Sequence, residues 1–231
     1  AVQLMTAEES GVSHGATIMV DGATVTKGGA AFCNAEMAMA GGKLDSFRML
    51  THPGTSILPG AFVATETAGA SGREFITGLA AGYEVMERLA ADFIPTVMAR
   101  GFHAGPVFGI FGAAVAAAKI LNLTEDQVNS TIALCVHLAA GNLEGPRGGG
   151  RALREGAAVR NAMLAVALAQ TGHVGGETVL EGDAGFYHAY TGNNKGQLTY
   201  SFVGDTQTSL NKITTALGQD WMFLETLYRI Y

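Results

Sequence analysis

Apolar and polar positions alternate through residues 16–27 (ATIMVDGATVTK) around an Asp21-Gly22 pair, which predicts a short β-hairpin. The pattern then changes. Residues 30–40 (AAFCNAEMAMA) are small and apolar, predicting a tightly packed helix that stops at Gly41-Gly42, and the next stretch, KLDSFRMLTHPGTSILPG, reads as loop. A longer helix starts at Ser71, where Ser-Gly-Arg-Glu places a carboxylate three residues after a hydroxyl as a capping box requires, and runs through EFITGLAAGYEVMERLAA. After a loop carrying Arg100 to His103, the segment 106–121 (PVFGIFGAAVAAAKIL) is apolar all round, carries Lys119 and is too short for the roughly 20 residues of a bilayer span. It reads as a buried helix. Thr124 to Gln127 forms a second capping box opening a helix to about Ala140, and residues 141–150 (GNLEGPRGGG) interrupt. Arg154 to Gln170 resumes as a helix in which Ala158, Ala162, Ala165 and Ala169 let neighbours approach closely.

Further on the pattern weakens. Residues 180–200 alternate glycine and aromatic side chains without a clean period and carry no assignment, 209–217 reads as a short helix, and 220–231 (DWMFLETLYRIY) is strand-like or the last turn of a helix. Such an apolar end needs a cover, so the protein is expected to continue beyond Tyr231. Successive helices with one small ribbon define a mainly α fold, read as a single large helical domain over residues 1–231.

Composition narrows the function. With a formal net charge of -6 and Asp plus Glu outnumbering Lys plus Arg by 20 to 14, no basic stripe is available to neutralise a phosphate backbone. Nucleic acid is excluded as a partner on that ground. Cys33 and Cys135 are far apart in apolar settings, which argues against a disulfide framework or a zinc site and fits a reducing cytoplasm. Residues 1–15 lack the basic start and apolar centre of a secretory leader. Only 15% of residues are charged, against about 25% in typical soluble domains. Part of the surface is therefore expected to be covered by another subunit or domain.

The chain has no GxGxxG after a strand, no Walker A sequence, no HExxH and no GxSxG, and GPRGGG at 145–150 lacks the lysine of a phosphate loop. No metal or organic cofactor is expected. The chemistry-bearing candidates are His52 in LTHPG and His103 in RGFHAG, each in a loop among small residues where an imidazole can move protons near neutral pH. Asp45 and Ser46 precede His52 closely enough to share one loop with it, or else simply cap a turn. Arg151 and Arg154 flank the start of a helix, where guanidinium forks and the helix N-terminus both attract carboxylates, and Arg229 lies near the end of the chain.

In order, Asn34 through AMAGGKLDS to THPGTSILPGAFVATE, then GREFITGLAAGYEVMERLA, RGFHAGPVFGIFGAAVAAAKILNLTEDQV and GRALREGAAVRNAMLAVALAQTG, resemble the large helical domain of the 2-methylcitrate dehydratase (MmgE/PrpD) family. The resemblance implies a cofactor-free lyase that takes a proton from the carbon beside a carboxylate of a small di- or tricarboxylic acid. Dehydration of a citrate-like acid is ranked first, epimerisation of an imino or amino dicarboxylate second, and a non-catalytic structural subunit is the rival from another class. It places His52 and His103 on the family's two histidines as base and acid, Asp45 as the residue orienting a histidine, and Ser46, Arg151, Arg154 and Arg229 on substrate. Gly42 stands where the family has a first aspartate, Arg151 and Arg229 where it has lysines, and Arg154 where it has a histidine. Arginine stays protonated, so these positions can bind charge but not shuttle a proton. The resemblance further implies a homodimer, a helical segment before this stretch and a smaller lid domain after it, here absent or supplied by another chain.

Overall fold

A computed structural model describes residues 1–41, 44–47, 51–91, 93–144 and 153–192. The 145–150 loop, the expected helix at 209–217 and the apolar end at 220–231 lie outside the described residues, as do Arg151 and Arg229. Among the described residues the chain is mainly helical: α1 (Val2–Glu9), a two-stranded ribbon of β1 (Ala16–Thr17) and β2 (Thr24–Val25), then α2 (Lys27–Ala40), α3 (Gly54–Ala68), α4 (Gly72–Ala90), α5 (Ile94–Ala99) and α6 (Ala104–Ile120). Three more follow, α7 (Glu125–Leu138), α8 (Leu153–Gln170) and α9 (Phe186–Thr191).

The hairpin forms where period two predicts it. Ala16 pairs with Val25 and Thr17 with Thr24, antiparallel, and Gly22 takes the positive φ of 81° that the turn needs. Its position is fixed by Asn34 on α2, whose Oδ1 accepts from Met19 N–H at 2.9 Å and whose Nδ2 donates to the Thr17 carbonyl at 3.0 Å.

Both capping boxes are made. Ser71 Oγ accepts from Glu74 N–H at 3.3 Å while Glu74 Oε2 accepts from Ser71 N–H at 2.7 Å, and Thr124 with Gln127 repeats the exchange at the start of α7. Helix α2 begins three residues earlier than its composition predicts, because Thr26 Oγ1 accepts from Gly29 N–H at 3.0 Å and carries the helix through two glycines.

The larger departure is α3, in a stretch whose beginning reads as loop. Its first turns contain Gly54, Thr55, Ser56 and Pro59, residues that favour turns, and Pro59 cannot donate to the Thr55 carbonyl. Tertiary burial outweighs the lost bond: Ile57, Ala61, Val63 and Ala64 are buried, and Gly60 lies close against Ala113 of α6.

Helix α6 is the axis of the domain. Every residue in it except Lys119 is buried, as a helix with no polar face must be, and α3, α4, α7 and α8 pack around it. Small residues set the spacing. Ser56 meets Gly109 and Gly60 meets Ala113, so α3 runs parallel to α6; Gly82 meets Gly112 and Gly78 meets Ala116, so α4 runs antiparallel. A Cβ at Gly82 would sit 2.6 Å from the Gly112 carbonyl oxygen, an atom that cannot rotate away. Gly82→Ala should therefore lower stability by about 2 kcal/mol in urea unfolding, whereas Gly72→Ala, with nothing within 4 Å, should leave it unchanged or slightly raised.

The otherwise unassigned stretch after residue 180 supplies α9, a single short helix that docks by its aromatic rings. Phe186 lies edge-on to Phe108 and Phe111 of α6 with ring centres 5.6 and 5.1 Å away, and Tyr187 stacks on Phe93 at 4.0 Å.

Candidate active site

The packing directions decide where the candidate residues fall. Since α3 and α6 are parallel, His52 just before α3 and His103 at the head of α6 sit at the same end of the bundle. Helix α8 begins there too: Gly105 near the start of α6 lies against Glu155 in the first turn of α8. Three helix N-termini, each worth roughly half a positive charge, thus gather at one end, a field suited to a carboxylate-rich anion.

His52 is held by the segment leading into α3. Residues 47 and 51 close an antiparallel bridge, Thr55 Oγ1 donates to the His52 carbonyl at 2.6 Å, and His52 Nδ1 lies 2.6 Å from the Asp45 carbonyl oxygen. A carbonyl can only accept, so Nδ1 carries the hydrogen and Nε2 is left with its lone pair. Asp45 therefore orients the ring through its main chain. Its carboxylate has other work: Oδ2 accepts from Gly54 N–H at 2.8 Å and from Tyr83 Oη–H at 2.7 Å, capping α3 and tying it to α4. Burial raises the Asp45 pKa, an effect opposed by the bonds from Tyr83 and Gly54. Burial and the neighbouring carboxylate push the Tyr83 phenol up, so it stays a donor. Ser46 is half-buried beside Asp45.

His103 is held the opposite way. It is the N-cap of α6, and its Nδ1 accepts from Gly105 N–H at 3.1 Å, which places the ring hydrogen of the neutral form on Nε2. The backbone is clipped on both sides: His103 N–H donates to the Gly141 carbonyl at 3.3 Å, and Leu143 N–H donates to the Gly101 carbonyl at 2.9 Å. His103 as a whole is 8% exposed.

Arg154 lies in the first turn of α8, nearly buried, with Nε donating to Glu155 Oε2 at 2.8 Å. Glu155 is 1% exposed. Beside it Glu36 of α2, 7% exposed, accepts from Gly156 N–H through Oε1 at 3.1 Å. Burial, with the repulsion of Glu155, pushes the Glu36 carboxyl up to about 7 against the pull of Gly156 N–H and Arg154.

The structure thus sets Asp45 against His52 and puts His103 and Arg154 at the same end of the bundle. It also adds three residues that the sequence reading passed over: Tyr83, Glu36 and Glu155. Glu36 carried a signal, since it interrupts a run of small and apolar residues and is one of the types least often buried without a partner; Glu155, next to Arg154, carried none. Tyr83 carried none, because its reach to Asp45 depends on how α4 crosses α3.

A cavity of about 520 Å³ opens among Lys27, Thr67, Leu121, Arg160 and Gln170, at the other end of the same helices. None of the residues predicted for the site lines it. Among the described residues no cluster of three His, Cys, Asp or Glu could hold a metal ion, and no helix is long and apolar enough to cross a membrane.

The helical domain is thus built around one buried axis, with two oppositely wired histidines and an arginine at the end where three helices begin. The defining pattern of the MmgE/PrpD N-terminal domain matches residues 1–199, and the chain belongs to that family. Among curated proteins it is 30% identical over 182 residues to a cis-aconitate decarboxylase-like protein, oryM, of Aspergillus oryzae, covering 74% of this chain and 36% of that protein. It is 26% identical over 188 residues to cis-aconitate decarboxylase of Aspergillus terreus, covering 78% of this chain and 37% of that protein. To the human cis-aconitate decarboxylase it is 28% identical over 192 residues, covering 77% and 39%. The chain thus spans less than two fifths of the length of these relatives.

Proposed function

We propose that this chain provides the proton-transfer side of a cofactor-free lyase acting on a small di- or tricarboxylic acid. The observation that carries this reading is the opposite wiring of the two histidines. His52, with its hydrogen committed to the Asp45 carbonyl, keeps a basic Nε2 to take a proton from the carbon beside a carboxylate. His103, with Nδ1 committed to Gly105, offers an Nε2–H to the oxygen on which negative charge then builds. Arg154, with Arg151 and Arg229 by family resemblance, holds the remaining carboxylates, and Ser46 hydrogen-bonds substrate.

Within this class, elimination of water from a citrate-like acid reaches a charge-stabilised carbon centre by giving up a proton to the base, whereas loss of carbon dioxide from an aconitate-like acid reaches one by cleaving the carbon–carboxylate bond and then takes a proton back from the acid. The names of the curated relatives favour the second. Epimerisation of an imino or amino dicarboxylate is the alternative supported by the pair itself, since one ring takes a proton and the other is placed to give one. A homodimer, with a lid domain in the same protein or on a partner chain, would complete the closure of the site.

The test is proton NMR of the full chain in deuterium oxide with citrate, 2-methylcitrate, cis-aconitate, aspartate and iminodisuccinate. Exchange beside a carboxylate of one of them is expected, and the product separates dehydration, decarboxylation and epimerisation. Absence of exchange, both alone and with the C-terminal remainder of a family member supplied, would leave the structural-subunit reading in its place.

A further inference from the structure

Gly105 is pressed from two sides. A Cβ built on it would lie 3.0 Å from both Nδ1 and Cε1 of His103 and 3.1 Å from Glu155 Oε1, so the carboxylate oxygen and the imidazole lie within about 6 Å of each other. The wiring of His103 otherwise works against a positive charge. Its Nδ1 accepts a hydrogen bond that only the neutral ring can accept, and it sits at the positive end of α6. To protonate a leaving group the ring must nonetheless carry two protons at some point in turnover.

We propose that Glu155 is a positioning residue for His103, a buried counter-charge held by Arg154 and paired with Glu36, which lets the ring become an imidazolium at the head of α6. The inference rests on the reading of His103 as the acid of the pair. Glu155 is placed for this role: Oε2 accepts from Arg154 Nε, and Oε1 lies on the side of Gly105. Glu36 on α2 tunes it. Burial and the repulsion of Glu155 push the Glu36 carboxyl up to about 7, so the charge beside Glu155 changes as Glu36 titrates. Among the described residues, the other charged or titratable groups around Glu36 are the guanidinium of Arg154, which lowers it, and the thiol of Cys33 on α2, which burial keeps protonated.

The test is an NMR titration of the His103 Cε1–H resonance in the full chain, assigned by its loss in His103→Gln. In the unsubstituted protein the resonance should show a second inflection near pH 7 as Glu36 titrates. Glu155→Gln, which keeps an acceptor for Arg154, should move the His103 midpoint toward acid by on the order of one pH unit. Glu36→Gln should remove the second inflection. An unmoved midpoint in Glu155→Gln overturns the proposal, as does an inflection that survives Glu36→Gln. Turnover is read separately: if His103→Gln retains activity, the role of His103 as acid falls while the electrostatic link stands or falls on the titration alone.

Discussion

Replacing His52 by Asn is expected to slow exchange of the carbon-bound proton about a thousandfold, the scale of a lost general base, while leaving the fold in place. The Asn amide can still donate to the Asp45 carbonyl, as His52 Nδ1 does, so the loop stays anchored and only the basic Nε2 is removed. His103→Asn is the matching variant. Asn is among the strongest N-caps, its Oδ1 can accept from Gly105 N–H as the ring does, and only the Nε2–H is lost. Proton exchange should then fall less than in His52→Asn, because the base is intact, while product formation falls as far. Thermal midpoints within a few degrees of the parent would show that both effects are chemical. If His52→Asn keeps more than a tenth of the exchange rate, the base lies elsewhere.

Glu36→Gln should change how stability depends on pH. The native carboxyl is pushed up to about 7 from an ordinary 4.5, so between those values the folded protein holds a proton that the unfolded chain has released. Stability from this group is therefore complete below pH 4.5 and is lost as pH rises through 7. Two and a half pH units correspond to about 3 kcal/mol. Gln cannot ionise and still accepts from Gly156 N–H, so the variant should gain about 2 to 3 kcal/mol relative to the parent on going from pH 4 to pH 8 in urea unfolding. Parallel stability profiles would mean that Glu36 is hydrated in the native state. The same carboxyl is the one whose titration His103 is proposed to sense, so stability and resonance should change over one pH range.

Much of the helical framework is written locally. The capping boxes at Ser71 and Thr124 mark two helix starts because a side chain three residues away satisfies the same orphan N–H groups in any context. The all-apolar run ending at Leu121 has no face that water could cover, and it became the buried axis. Asp21-Gly22 marks its turn because glycine tolerates the backbone angle required there. These signals act over a few residues, and the structure follows them.

Helix α3 and the carboxylate pair obey a different logic. Gly54, Thr55, Ser56 and Pro59 favour a turn, and the helix persists because α6 offers a groove of glycine and alanine against which Ile57 and Gly60 pack. The partnership of Glu36 with Glu155 spans more than a hundred residues and exists because α2 and α8 are antiparallel neighbours.

By itself the sequence determined the helical class, the hairpin, the capped helix starts and which two loop histidines to watch, since composition, hydrogen-bonding capacity and period act at short range. Only the tertiary structure decided that α3 is a helix, that three helix N-termini share one end, that Nδ1 of each histidine is committed to the backbone in opposite senses, and that Glu155 comes to lie near His103 with Glu36 next to it. Those outcomes depend on packing directions and on charges brought together from distant parts of the chain, and the energy of a buried charge is set by neighbours that the linear order does not name.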